Sequence, residues 1–280
     1  MKRIKTQLMA LPVILWLAVF VLIPIAIIVY YGFTVETEEG FIRFSVENFA
    51  RFADPTYLNV FLRSLKIALY STIVCLILGY PVAYLCARSS PRFRMIVMLL
   101  LMLPMWMNFL LRTYSWLSLL ENSGLINRVL EFFGVEKVQF LYHEGSVVFG
   151  TVYNFLPFMI IPIQNVLLKM DDALLEAAYD LGATPVQRFL RITVPFSIPG
   201  IISGITMVFV PSVTTFVVSQ LMGGGKVPLV GDIIERQFRV VNDWHFGSAV
   251  SVVVMVVVLT TMILMNRADK QDIGERGVIL

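Results

Sequence analysis

From Leu8 to Tyr31 the chain runs for 24 residues without a charged side chain. A helix of that length rises about 36 Å at 1.5 Å per residue, enough to cross a hydrocarbon core of roughly 30 Å. Backbone amides in lipid must find partners within their own segment, so a lone run of this kind has to be helical. Five more apolar stretches follow, at about 61–87, 95–117, 144–168, 196–218 and 246–266. A soluble alternative fails on composition. Only 15% of residues are charged and 58% are hydrophobic, against about 25% charged in a soluble domain. The expected fold is therefore an all-α integral membrane protein. Six transmembrane helices occupy 8–266, between a short segment 1–7 and a tail 267–280. The first run is longer than a signal-peptide core and has no evident small-residue cleavage site, so it is read as a retained helix.

Charge sorts the connections. Segments 1–7, 88–94, 169–195 and 267–280 hold twelve Lys/Arg in 55 residues, whereas 32–60, 118–143 and 219–245 hold seven in 82. The positive-inside rule then places both termini and the 169–195 loop in the cytoplasm. In the 118–143 loop, Leu125, Ile126, Val129, Leu130 and Phe133 have the spacing of an amphipathic helix on a membrane surface. Pro81, Pro104, Pro157, Pro162, Pro199 and Pro211 fall inside spans. Each removes a hydrogen bond that lipid cannot replace. So many suggest helices broken around a cavity, as at transporter midplane sites; the alternative is a set of simple kinks.

The 169–195 loop reads as two short helices. Asp172 is placed to cap the first, and Leu174, Leu175, Ala178 and Leu181 share one face. Gly182 stands where a left-handed residue would stop that helix. Thr184 followed by Pro185 reads as a cap and a first-turn proline. Val186, Phe189 and Leu190 form the second apolar side, and Pro195 is expected to end the unit.

Glu176-Ala177-Ala178, three residues, Gly182, nine residues, Ile192, one residue, then Val194-Pro195 resembles the EAA signature of ABC-importer permeases. Val194 stands where that signature usually has Leu. The resemblance implies a cytoplasmic coupling helix that docks into a separate ATPase, with Glu176, Ala177, Ala178, Asp180 and Gly182 as coupling residues and Glu176, Ala177 and Ala178 facing the ATPase. An ordinary helical loop and a DNA-binding helix-turn-helix are the other readings; flanking spans argue against the latter. Leu103 to Tyr114, the Leu156-Pro157-Phe158 run, Leu221-Met222-Gly223-Gly224 and Asp243 to Gly247 together resemble the B-type permeases of spermidine/putrescine importers. That likeness covers most of 8–266. It implies the MetI-like fold of type I ABC importers, a second permease of the C type, two ATPase subunits and an extracytoplasmic binding protein, in a bacterial inner membrane. Permeases for iron, sulfate or other small solutes share the EAA loop and stay open as alternatives.

Catalytic and metal motifs are missing. Gly225-Lys226 is followed by Val227, and Gln220 stands where a Walker A loop needs its first glycine. No zinc-protease, paired-cysteine or nucleophile-elbow pattern occurs. Cys75 and Cys86 fit no metal or redox spacing and read as buried thiols, while His143 and His245 read as surface residues. Any ATP and magnesium would be bound by the partner ATPase, so no cofactor is expected in this chain, and no nucleic acid. A secondary transporter would need a buried coupling carboxylate, and no Asp or Glu lies mid-span. For a polycation, Trp106, Tyr114 and Tyr153 offer aromatic faces, and Asn108, Ser212, Thr214 and Thr215 offer oxygen acceptors. Trp106 and Tyr114 read equally as an interface belt. Arg112 reads as a snorkelling side chain, or as a contact to the partner permease or binding protein.

Overall fold

The computed structural model describes residues 12–37 and 41–276. The expected 1–7 segment, positions 8–11 of the first span and residues 277–280 lie outside the described residues. In chain order the elements are α1 (Pro12–Gly32), β1 (Thr34–Glu36), β2 (Ile42–Phe44), α2 (Glu47–Phe52) and α3 (Pro55–Arg88). Then come α4 (Pro91–Met102), α5 (Phe109–Leu120), α6 (Leu125–Phe132), α7 (Glu144–Leu167) and α8 (Ala173–Asp180). The last four are α9 (Pro185–Thr214), α10 (Val217–Gly223), α11 (Val230–Arg236) and α12 (Trp244–Arg276).

Five of these helices are long and apolar enough to cross a membrane, and six spans result if α4 and α5 count as one bent pair. The expected third helix, 95–117, is therefore not continuous. It breaks by 96° between Pro91–Trp106 and Phe109–Phe132. Pro104 sits in a 3-10 turn over Leu103–Trp106, Met107 is extended, and Asn108 starts α5 by accepting from the Leu110 amide at 2.9 Å. The other five span prolines lie inside helices that continue through them, so no break results there.

The described residues form two compact units. One comprises those up to Asn59 with Ile233–Val258, the other Val60–Asp232 with those from Leu259 on.

In the first unit, α1 is apolar on every side, and none of its most apolar window is buried by this chain. It widens into a π-turn at Ala18–Leu22, directly ahead of Pro24. Proline has no amide to close an α-turn and its ring crowds the carbonyl four residues back; a wider turn keeps the helix unbroken. Residues 32–60 carry no strand signal in the sequence, yet β1 and β2 pair antiparallel there, Val35 opposite Arg43. Asn48 Nδ2 donates to the Thr34 carbonyl at 3.0 Å. His143 is exposed as expected, whereas His245 is half-buried. His245 Nδ1 lies 3.0 Å from Thr34 Oγ1 and 3.2 Å from the Tyr31 carbonyl. Asp243 accepts from the Phe246 amide and from Arg51 Nη1 at 2.7 Å, which fixes the start of α12. Gly32 permits close approach: a Cβ there would lie 3.3 Å from the Ala249 backbone.

The second unit is built around α7 and α9. Gly200 and Gly204 let their backbones meet, since a Cβ would lie 2.8 Å from the Pro162 carbonyl and 2.8 Å from Met159 Sδ respectively. Cys75, Ala83, Met159, Ile160, Ile163 and Val208 fill one core cluster, and Ile67, Val147, Val218, Met222 and Leu229 belong to another. The second cluster shows that 219–245 is not a plain loop, since helices form in it and part of it is buried. The expected fifth helix, 196–218, ends instead at Thr214, and α10 packs into the core. Polar clamps hold this stretch: Ser64 Oγ accepts from the Val230 amide at 2.7 Å, and Asp232 Oδ2 accepts from Ser219 Oγ and the Leu229 amide, each at 2.7 Å. His143 caps α7 in a reciprocal box with Ser146. Cys75 and Cys86 are buried and unpaired with each other.

Candidate functional site

The segment between α7 and α9 is built from local capping. Asp171 Oδ1 accepts from the Ala173 amide at 3.0 Å. Asp172 makes no capping bond, contrary to expectation; its carboxylate is ion-paired with Arg88 at the end of α3. A partner 84 residues away outbids the local amide here. Helix α8 then closes as a Schellman motif: Gly182 N–H donates to the Tyr179 carbonyl at 2.8 Å, and Ala183 N–H to Ala178 at 3.0 Å. Gly182 has φ +80° and nothing within 4 Å of a would-be Cβ. The expected cap at Thr184 is present as a capping box. Thr184 Oγ1 accepts from the Gln187 amide, and Gln187 Oε1 from the Thr184 amide at 2.9 Å.

Pro195 does not end the unit. A π-turn at Phe189–Thr193 precedes it, with Val194 N–H donating to the Phe189 carbonyl. This repeats the geometry ahead of Pro24, and the helix runs on from Pro185 to Thr214.

Burial sorts the coupling residues. Glu176, Ala177, Asp180 and Gly182 are exposed, whereas Ala178 is buried. Ala178 thus packs against the body of the chain, not on the outer face with Ala177. Of the face shared by Leu174, Leu175, Ala178 and Leu181, only Ala178 is buried and Leu175 half-buried. Leu174, Tyr179, Val186, Leu190 and above all Leu181, 88% exposed, point outward. Arg188 lies over the Tyr179 ring at 5.3 Å. An exposed apolar array rimmed by Glu176, Asp180 and Arg188 is the composition of a docking surface.

The candidate path residues fall in several places. Trp106, 84% exposed, and Asn108 flank the break between α4 and α5. Tyr114 is exposed on α5. Tyr153 meets Trp116 edge-on at 5.1 Å and lies under Arg112. Ser212 is buried and donates to the Val208 carbonyl at 2.6 Å, leaving its hydrogen spent within its own helix. Thr214 and Thr215 end α9, where Gly231 approaches their carbonyls. Arg112 does not snorkel. It is buried, and its Nη1 donates to the Pro104 carbonyl at 3.2 Å, across the break. The sequence hinted at this only through an arginine eight residues after a mid-span proline. The ion pair of Arg88 with Asp172 had no local signal at all. Among the described residues no group of His, Cys, Asp or Glu could hold a metal.

Comparison with known proteins adds independent support. The family model described as "Binding-protein-dependent transport system inner membrane component" matches residues 79–270. The spermidine/putrescine transport system permease protein PotB of Escherichia coli (strain K12) is 37% identical, over 94% of this chain and 97% of its own length. The protein of the same name from Haemophilus influenzae is 38% identical over 91% of each. Among solved structures, a chain of a bacterial alginate ABC transporter in complex with an alginate pentasaccharide-bound periplasmic protein aligns with a TM-score of 0.80. It covers 96% of this chain and 95% of that one at 17% identity. A chain of the MetNI methionine ABC transporter, in an inward-facing form, aligns at 0.57 over 79% of this chain and 99% of its own, at 18% identity. The matched family model and the PotB likeness along nearly the whole length lead to one assignment: this chain belongs to the binding-protein-dependent inner-membrane transport components, as a multi-pass permease subunit of an ABC importer.

Proposed function

We propose that this permease carries polyamines of the spermidine/putrescine class inward. The observation that carries the reading is 37–38% identity, over nine-tenths or more of both chains, to permeases named for those solutes. The chain crosses the membrane six times, the bent α4–α5 pair being one crossing, and both termini lie in the cytoplasm. The charge distribution supports that orientation. It pairs with a second permease of the C type to enclose the path, receives solute from an extracytoplasmic binding protein, and is surrounded by lipid.

The chain itself hydrolyses nothing. ATP and magnesium belong to separate ATPase subunits, which meet the exposed face of α8 and the start of α9. Glu176, Ala177, Asp180 and Gly182 contribute to that contact, and Ala178 seats α8 on the permease. Closure of the ATPase pair moves α8, and the direct continuity of α9 carries the movement into the membrane. Trp106, Asn108, Tyr114, Tyr153, Ser212, Thr214 and Thr215 contribute to the path. Aromatic faces there attract ammonium groups by about 0.5–2 kcal/mol each, weak enough to let a solute leave. The deciding experiment is ATP-dependent uptake by the reconstituted complex, with spermidine, putrescine, sulfate and ferric iron compared side by side. Uptake of the polyamines alone is expected; sulfate or iron uptake without polyamine uptake would reassign the substrate.

A further inference from the structure

Arginine inside a membrane-spanning element is costly and normally pairs with a carboxylate or faces water. Arg112 does neither: it is 8% exposed, and among the described residues it forms no ion pair. Its guanidinium carbon lies 5.6 Å from the Phe109 ring centroid and 5.8 Å from that of Tyr153. Nη1 has the Pro104 carbonyl, and Nε is buried with no partner. The walls are braced from outside. Trp116 stands edge-on to Tyr153 at 5.1 Å and to Phe149 at 4.9 Å. Two ring faces and a carbonyl at a helix break make a cation slot without a carboxylate. The guanidinium, a planar fork of five donors, fits it badly and leaves Nε unsatisfied. A compact ammonium with three rotatable donors suits one carbonyl and two rings better.

We propose that Arg112 is an internal stand-in for the substrate: its guanidinium fills an ammonium slot formed by Phe109, Tyr153 and the Pro104 carbonyl, and a primary ammonium group enters by displacing it. The proposal rests on the polyamine reading above. Phe109 and Arg112 lie on the second arm of the bent pair, Pro104 on the first and Tyr153 on α7, so displacement frees the arginine beside the break that its Nη1 now bridges.

The test compares wild type, Arg112→Gln and Arg112→Lys in the complete importer, reconstituted in proteoliposomes with a fixed amount of its binding protein, with labelled spermidine. Glutamine keeps a donor for the Pro104 carbonyl but loses the charge; lysine keeps the charge. Arg112→Gln is expected to lower the spermidine concentration for half-maximal uptake by roughly 2- to 30-fold, the range of one cation–π contact. Arg112→Lys is expected to stay near wild type. Equal values for Arg112→Gln and wild type overturn the proposal, as does Arg112→Lys matching Arg112→Gln, because charge would then be irrelevant. If Arg112→Gln does not assemble, Tyr153→Leu decides, measured in the same way: a raised half-maximal concentration supports the slot and an unchanged one overturns it. Failure of the wild-type complex to take up spermidine is a separate result, which removes the polyamine reading and the proposal with it.

Discussion

Gly182 has φ +80° and empty space where a side chain would project. Any substitution there meets no atom, so its cost is backbone strain of about 1–3 kcal/mol. An aspartate adds negative charge at a helix C-terminus, where it is disfavoured. Gly182→Asp should therefore insert normally yet lose stimulation of ATP hydrolysis by the loaded binding protein. Nanodisc ATPase assays beside an insertion control check this; retained stimulation would remove the segment from the coupling route. Trp106→Ala should weaken polyamine uptake while leaving assembly intact, since the ring is 84% exposed. Unchanged uptake kinetics would assign that ring to the lipid belt. Gly182 and Thr184 were legible in the sequence because their partners lie within five residues. The carboxylate of Asp172 was misread because Arg88, on another helix, claims it.

Helices α7 and α9 meet through glycines rather than through interlocked large side chains. Gly204→Leu would place a Cβ 2.8 Å from Met159 Sδ and 3.1 Å from its carbonyl. Overpacking of this kind costs about 1–3 kcal/mol, so the variant should melt at lower temperature in detergent, as followed by fluorescence or size-exclusion. At the other end of α9, Thr184→Ala removes one half of the capping box, worth about 0.5–2 kcal/mol. Limited proteolysis should then cut more readily near 182–186, and Thr184→Ser should restore resistance. Element boundaries were least legible where continuation depends on something non-periodic. Six prolines looked alike in the sequence, but only Pro104 coincides with a break. Its stabilising donor, Arg112, comes from the far side of that break. Residues 219–245 read as a loop, yet Ser64 and Asp232 hold the 229–232 stretch through buried and part-buried hydrogen bonds.

For the whole molecule, long apolar runs made the fold class readable, because lipid leaves the backbone so few options. The number of crossings was less so, since the bent pair needs three-dimensional information. Single cysteines in place of Glu176 and Val241, both exposed, should label from opposite sides of the membrane. Cys75 and Cys86, being buried, should stay unlabelled in intact protein. Labelling of both introduced sites from one side would overturn the cytoplasmic placement of the coupling segment. The unbroken run from Pro185 to Thr214 has a mechanical meaning. Thirty helical residues form a strut of about 45 Å, with its only widened joint at Phe189–Thr193. A strut neither stretches nor stores a delay. The capping box at Thr184 is thereby joined to Thr214 by one continuous helical run, with no loop between them.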